Sequence, residues 1–299
     1  MSRHLSPLAL SRSAHYRDAA TRIDPDRLAA LWADQDTRVL LLNRGRALLA
    51  EDSPSQLSLV TPTEAGTVEL TIYLGVDGAE APRALFAAAI SDTDAKRFPG
   101  RWVSLLSVGA DLDPLHAGLF TQALAMVNWH SGFGYSPRTG DPSVPEDGGW
   151  VRRAADRQDI FPRTDPAVIM RVHDEEGRIL LGRNAAWGQR FSLLAGFVEP
   201  GESLEAAVIR EVREEAGLTV TDVRYLGSQP WPFPASLMVA FSAVVEGPTV
   251  PVPDGVEIVE LRWFSRAEIE AEDFLLPGAI SIARIVIDDW VRGEDAEGA

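Results

Sequence analysis

The chain has 299 residues and no cysteine, which excludes disulfide bridges and thiolate metal sites. Its apolar content of 45% and charged content of 24% are typical of a globular protein, and without a signal-peptide core or a long apolar segment a cytoplasmic location is expected. The formal net charge of −16 disfavours general binding to nucleic-acid phosphates, although divalent cations can neutralise the site of a small anionic substrate.

Residues 1–127 are predicted to form an N-terminal α/β domain. Within 37–50 the sequence indicates two short strands joined at Asn43-Arg44-Gly45, and the alternation in 67–76 is typical of a half-buried strand. Apolar residues three and four apart predict a helix over 113–130. The following stretch, 128–160, is rich in glycine, proline and charge, and it is interpreted as a connector.

Residues 161–299 are predicted to form a second domain of mixed α/β or α+β class. Ser203 is a good N-cap and Gly217 a good terminating residue, so a helix is expected over 203–216, and a second helix closes the chain. Apolar runs between turn residues predict strands at 168–172, 178–183, 191–198, 223–228, 237–245 and 259–265.

The first of these helices carries carboxylates on the side that should face the core. Leu204 and Val212 mark that side, and Glu211 and Glu215 project within roughly 20° of Leu204. Burying like charges together is costly unless cations compensate them. A solvated acidic face is the alternative and is preferred for Glu214 taken alone. For the three glutamates together, a Mg²⁺ or Mn²⁺ site with hard oxygen ligands is the better interpretation.

The run GFVEPGESLEAAVIREVREEAGL resembles the signature of the Nudix hydrolases, G-x5-E-x7-R-E-apolar-x-E-E-x-G-apolar. Every fixed position is matched, by Gly196, Glu202, Arg210, Glu211, Val212, Glu214, Glu215, Gly217 and Leu218. The resemblance implies a Nudix α/β/α sandwich and metal-assisted hydrolysis of a nucleoside diphosphate linked to another moiety. It implies that the three helix glutamates hold the cations and that Glu202 pairs with Arg210. For that pair alone, a surface ion pair worth under about 1 kcal/mol is the alternative.

The run SQPWPFPASLM, residues 228–238, contains three prolines, which exclude an ordinary helix or central strand. Taken alone it indicates a rigid surface loop or a proline-rich ligand. Downstream of the Nudix signature it resembles the motif of the NAD(H) diphosphatase branch, which also includes NAD-cap decapping enzymes. That resemblance implies stacking on a base and a nucleotide pocket, formed by Phe161, Phe197, Gln229, Trp231, Ser236, Met238 and Ala283. Simple core packing is the alternative for Trp231 and Phe233.

Further expectations concern metals and assembly. The resemblance implies that Glu257 is an additional metal ligand, although alone it is better interpreted as one more charge on an acidic loop. Relatives commonly carry a four-cysteine zinc ribbon, whereas here Ser136-Pro-Arg-Thr139-Gly140 stands at the first pair and Arg153 and Asp156 fall near the second. No structural zinc is therefore predicted. The resemblance also implies a homodimer.

The predicted function is metal-dependent hydrolysis of NADH or NAD⁺ to nicotinamide mononucleotide and AMP. Decapping of NAD-capped RNA by the same site is an alternative, and it would require a local basic path and a steep salt dependence. An ADP-ribose diphosphatase is also possible, but the proline-rich motif makes it the weaker option. A non-catalytic nucleotide sensor is disfavoured, because a sensor would not need the three glutamates. No membrane partner is expected.

Overall fold

The structure is a computed structural model, and it describes residues 5, 7–271 and 275–293. The chain divides into two compact units. The N-terminal unit comprises residues 12–164 together with 231–235, and the C-terminal unit comprises 1–11, 165–230 and 236–299. Both units combine helices with sheets, which confirms the mixed α/β class. No helix in the described ranges is long and apolar enough to cross a bilayer.

The N-terminal unit has one large sheet, one small sheet and five α-helices. Strands β1 to β10 are His15–Tyr16, Arg38–Asn43, Arg46–Leu48, Leu59–Val60, Leu70–Asp77, Ala84–Ala89, Trp102–Ser104, Val144–Glu146, Val151–Arg153 and Asp159–Ile160. Helices α1 to α5 are Pro25–Ala33, Pro62–Ala65, Asp92–Ala95, Leu105–Val108 and Pro114–Gly132.

The large sheet has the strand order β1-β5-β6-β2-β3-β7, with β4 added to β2. Strands β2 and β6 run parallel, and the other pairs are antiparallel. The predicted turn between β2 and β3 is present, because Arg44 and Gly45 both have positive φ, 48° and 72°. Helix α5 begins at the N-cap Asp113, whose carboxylate accepts the backbone N–H of His116, and its long buried face contributes to the core of this unit.

The predicted connector contains regular structure of its own. Strands β8, β9 and β10 form a small antiparallel sheet, and strands of two or three residues are too short to leave a periodic signal. At the position of the first cysteine pair of relatives, Ser136 closes a turn. Its Oγ accepts the backbone N–H groups of Arg138 and Thr139 at 3.3 Å, and its carbonyl accepts the N–H of Gly140 at 2.9 Å.

Among its described residues, the C-terminal unit has seven strands and three α-helices. Strands β11 to β17 are Asp165–His173, Ile179–Asn184, Phe191–Ser192, Leu194–Phe197, Val220–Trp231, Ser236–Val245 and Ile258–Phe264. Helices α6 to α8 are Leu204–Ala216, Arg266–Glu270 and Ile282–Val291. The strand order is β13-β12-β11-β16-β15, with β14 paired to β11 and β17 to β12.

Helices cover both faces of this sheet. Val168 and Met170 of β11 pack with Val212 of α6 in one buried cluster, whereas Ile169, the residue between them, packs with Val286 of α8 in another. Successive residues of a strand point to opposite faces, so β11 contributes to both layers. The arrangement confirms the predicted α/β/α sandwich.

The beginning of the proline-rich run is a strand. Strand β15, predicted to end at Ser228, continues to Trp231 and therefore includes Pro230. The prediction that the prolines exclude a central strand holds, because β15 is the last strand in the order, and an edge strand tolerates a residue without a backbone donor.

Candidate active site

Helix α6 places its acidic residues at three different depths. The Oγ of Ser203 accepts the N–H of Ala206 at the start of the helix, and Gly217 ends it with a φ of 66°. The side chain of Glu215 is buried, with the residue only 5% exposed, and that of Glu211 is nearly so, whereas that of Glu214 is 60% exposed. The carboxylates predicted to face the core do face it, and Glu214 lies at the rim.

Arg210 connects the signature residues to one another. Its Nε and Nη2 donate to the two carboxylate oxygens of Glu202, both at 2.9 Å, and Nη2 also donates to the carbonyl of Phe197 at 2.9 Å. Its Nη1 donates to Glu211 at 2.8 Å and to Glu214 at 2.9 Å. The hydrogen bonds from Arg210 lower the pKa of Glu202. These hydrogen bonds hold the loop after β14 against the helix. Arg210 therefore makes more contacts than the single surface ion pair that the sequence offers as an alternative.

Gly196 leaves room for the carboxylate of Glu211. It lies on β14, opposite Val168 of β11. A Cβ atom built at position 196 would lie 1.9 Å from Oε1 of Glu211 and 2.0 Å from its Cδ, far inside van der Waals contact. The glycine is therefore needed for close approach of the helix side chain to the strand, and not for a positive φ.

Glu215 is a buried carboxylate with an unused oxygen. The backbone N–H of Ala195 donates to the carboxylate, but Oε2 has no hydrogen-bond partner among the described residues. Burial, with smaller contributions from the negative charges of Glu211, Glu257 and Asp254, raises the pKa of Glu215 to about 8. Burial also raises the pKa of Glu211, against the opposing effect of Arg210. These acidic groups therefore converge on one region of the C-terminal unit.

Glu257 precedes β17 and is held by the end of β12. The side-chain Nδ2 of Asn184 donates to Glu257 Oε1 at 3.3 Å, and the backbone N–H of Ala185 donates to the Glu257 carbonyl at 3.0 Å. Within residues 5, 7–271 and 275–293, no three His, Cys, Asp or Glu side chains are arranged as a metal site. The donor chemistry nevertheless fits a hard divalent cation, because Glu215 offers a buried oxygen without a partner beside other carboxylates.

The residues predicted to contact substrate fall into separate groups. Phe161 and Phe197 are exposed aromatic side chains, as a stacking role requires. The strand register places Phe197 and Met238 on either side of Ala167, in one row across the sheet. Ala283 is buried in the same hydrophobic cluster that Met238 packs against, and Ser236 is half-buried.

Gln229 is completely buried, and both ends of its amide are used. Oε1 accepts the backbone N–H of Leu10 at 3.2 Å, and Nε2 donates to the carbonyl of Ile280 at 3.0 Å. Beside it, the Oγ of Ser11 donates to the carbonyl of Ser228 at 2.8 Å. In this structure Gln229 joins the beginning of the chain to the segment that leads into α8.

We expect Gln229→Ala to lower the free energy of unfolding by about 2–4 kcal/mol, because it leaves two buried backbone groups without partners and creates a cavity. Urea denaturation would measure the loss. Gln158→Ala, at an exposed position, is the matched control and should change stability little. A Gln229→Ala protein of unchanged stability but higher KM would instead favour direct contact with substrate.

Trp231 belongs to the N-terminal unit, together with the rest of the loop 231–235. Its ring meets that of Phe233 edge to face, with centroids 4.9 Å apart. Asn128 of α5 donates from Nδ2 to the carbonyls of Pro232 at 2.9 Å and Pro234 at 3.3 Å. No local pattern in the sequence points to Asn128, because its partners are more than 100 residues away.

Two family models match the chain. The NUDIX domain matches residues 163–285, and the "NADH pyrophosphatase-like rudimentary NUDIX domain" matches residues 36–129. The NAD-capped RNA hydrolase NudC of Mycobacterium bovis is 43% identical over 95% of each chain. The NAD-capped RNA hydrolase NUDT12 of Homo sapiens is 37% identical over 59% of this chain and 42% of its own length. A crystal structure of a NUDIX hydrolase from Nitrosomonas europaea covers 56% of this chain and 96% of its own, with 20% identity and a TM-score of 0.46.

Proposed function

Because the chain belongs to the Nudix hydrolase family, in the branch of the NAD-capped RNA hydrolases, we propose that it hydrolyses the diphosphate bond of NADH or NAD⁺ to nicotinamide mononucleotide and AMP. The observation that carries the proposal is the buried carboxylate of Glu215, which has an unpartnered oxygen and faces the charges of Glu211 and Glu257. Such a site suits a reaction in which cations neutralise a diphosphate.

The side chains of Glu211, Glu214, Glu215 and Glu257 would hold Mg²⁺ or Mn²⁺. When bound, these ions would supply charge neutralisation for the diphosphate and would help to activate the attacking water. Arg210 and Glu202 act on the protein itself, since their double hydrogen bond fixes the loop after Phe197 relative to α6. The exposed ring of Phe197 is then available for stacking on a base.

NAD-capped RNA is the second candidate substrate. Two relatives of this chain, from Mycobacterium bovis and Macaca fascicularis, are named NAD-capped RNA hydrolases, and the same diphosphate would be cut in the cap. A chain with a net charge of −16 would need local cationic contacts to hold RNA, so RNA cleavage should depend steeply on salt while cleavage of free NADH should not. The resemblance further predicts a homodimer, which light scattering would test.

The test is product analysis with NADH, NAD⁺, ADP-ribose and NAD-capped RNA, each with and without Mn²⁺. We expect nicotinamide mononucleotide and AMP from the dinucleotides, only when metal is present. Cleavage of ADP-ribose in preference to all NAD-containing substrates would identify a different diphosphatase. Lack of cleavage of every substrate at saturating Mn²⁺ would contradict the proposal and favour a nucleotide sensor.

A further inference from the structure

Asp254 is an acidic residue beside the site, in the turn that leads into β17. A single carboxylate oxygen, Oδ1, accepts three consecutive backbone N–H groups, from Val256 at 3.0 Å, Glu257 at 3.1 Å and Ile258 at 2.9 Å. The N–H of Gly255, which has a φ of 74°, donates to the carbonyl of Ile258 at 3.1 Å and closes the same turn. The loop is therefore built around one acceptor atom.

Glu257 lies in the centre of this turn. Asp254 fixes its backbone from one side. From the other side, Asn184 at the end of β12 donates to its side chain, and the next residue, Ala185, donates to its carbonyl. The next residue, Ile258, begins β17 and is buried, so the strand anchors the far end of the loop. The position of Glu257 is thus set by hydrogen bonds to its backbone as well as by a hydrogen bond to its side chain.

The negative charge of Asp254 has an electrostatic cost at this position. Together with Glu211 and Glu257, it acts on the buried Glu215 and opposes that residue's ionisation. A neutral acceptor would hold the loop with less repulsion. The three hydrogen bonds of the loop therefore require an acceptor oxygen at position 254 and not a negative charge. An asparagine side chain also provides such an oxygen.

We propose that Asp254 is a positioning residue for the hydrolytic reaction, which holds Glu257 facing Glu211 and Glu215 by accepting the three loop N–H groups. The proposal rests on the function proposed above, in which Glu257 is a metal ligand. Residues that orient metal ligands commonly contribute about 10- to 100-fold to metal affinity.

The experiment compares Asp254→Ala with Asp254→Asn. Mn²⁺ binding is measured without substrate by electron paramagnetic resonance, and kcat and KM for NADH are measured at limiting and saturating Mn²⁺. We expect Asp254→Ala to weaken Mn²⁺ binding by about 10-fold or more, because the loop loses its acceptor. We expect Asp254→Asn to bind within about 3-fold of wild type, because its amide oxygen accepts the same bonds.

Controls separate positioning from folding and from net charge. Thermal unfolding in EDTA reports whether either variant fails to fold, and Asp26→Ala removes one exposed carboxylate from α1 of the other unit.

Two results with the Asp254 variants would overturn the proposal. Equal weakening of Mn²⁺ binding in both variants would show that the charge of Asp254 matters and not its hydrogen bonds. Unchanged Mn²⁺ binding in Asp254→Ala would show that Asp254 has no role in placing the metal ligand. Wild-type protein that binds no Mn²⁺ would also overturn it. Wild-type protein that binds Mn²⁺ but cleaves no NAD substrate would contradict the proposed function, while the comparison of binding would still decide the positioning role.

Discussion

Replacing Glu215 by glutamine is expected to lower kcat for NADH by about 10²- to 10⁴-fold while leaving the protein folded. The carboxylate is buried, faces two further acidic residues and has an oxygen without a hydrogen-bond partner in the described part of the chain. An amide has almost the same shape but cannot contribute charge to a cation. Glu214→Gln, at an exposed position, is the matched variant, and we expect it to lower kcat less.

The same substitution should stabilise the protein in EDTA. The folded-state pKa of Glu215 is about 8, above its ordinary value, so the folded protein retains the proton more strongly than the unfolded chain. Stability from this group is therefore complete below about pH 4.5 and is lost as the pH rises towards 8, on the order of several kcal/mol in total. Glu215→Gln should remove most of this decrease in the free energy of unfolding with rising pH. Urea denaturation at pH 5.5, 7 and 8.5 would measure the difference.

Mg²⁺ provides an independent readout of the same carboxylate. Added Mg²⁺ should stabilise the wild-type protein most at high pH and the Glu215→Gln protein much less. Near wild-type turnover of Glu215→Gln would rule out its assignment to the site. A variant that is less stable than wild type at every pH would show that the buried charge is compensated within the protein.

Gly196→Ala is the second substitution with a large expected effect. Its methyl group would overlap the carboxylate of Glu211, so this side chain or β14 must move. Either movement disturbs the bond from Arg210 to Glu211 and the position of one acidic group of the site. We expect kcat to fall by at least about 10²-fold, because a shift of about 1 Å is enough for such a loss, and we expect weaker Mn²⁺ binding.

Gly278→Ala is the matched control for Gly196→Ala. It lies in the same unit, and a Cβ built there meets nothing within 4 Å, so activity and stability should change little. The activity of both alanine variants would be assayed across a range of Mn²⁺ concentrations. Full activity of Gly196→Ala at low Mn²⁺ would mean that the position of Glu211 against β14 is not needed for the reaction.

Local patterns in the sequence predict helix α6 and its buried acid well. Ser203 and Gly217 mark its ends through interactions within the first and last turns, and the helical period alone places Glu215 among apolar residues. The same period leaves Glu214 at the rim, where the structure has it. Each of these inferences depends on residues within one helix, and such interactions are visible in a single stretch of chain.

Interactions over long sequence distances were not predictable. The sequence around a glutamine does not distinguish an amide that binds a ligand from one that binds the backbone. The backbone partner of Gln229, Leu10, is 219 residues away in the sequence. Asp254 differs, because the Asp-Gly pair is a recognised turn signal. That signal could have indicated the loop but not its three accepted hydrogen bonds or its closeness to Glu215.

The first residues of the chain have a consequence for biosynthesis. The backbone N–H of Leu10 donates to Gln229, and Leu8 packs in the cluster that contains α8, so these residues are synthesised long before their partners. At ordinary rates of translation the interval between Leu10 and Gln229 is roughly 10–45 s. These contacts of Leu8 and Leu10 therefore form only after strand β15 and helix α8 have been synthesised, so this part of the core of the C-terminal unit is completed late relative to the synthesis of Leu10.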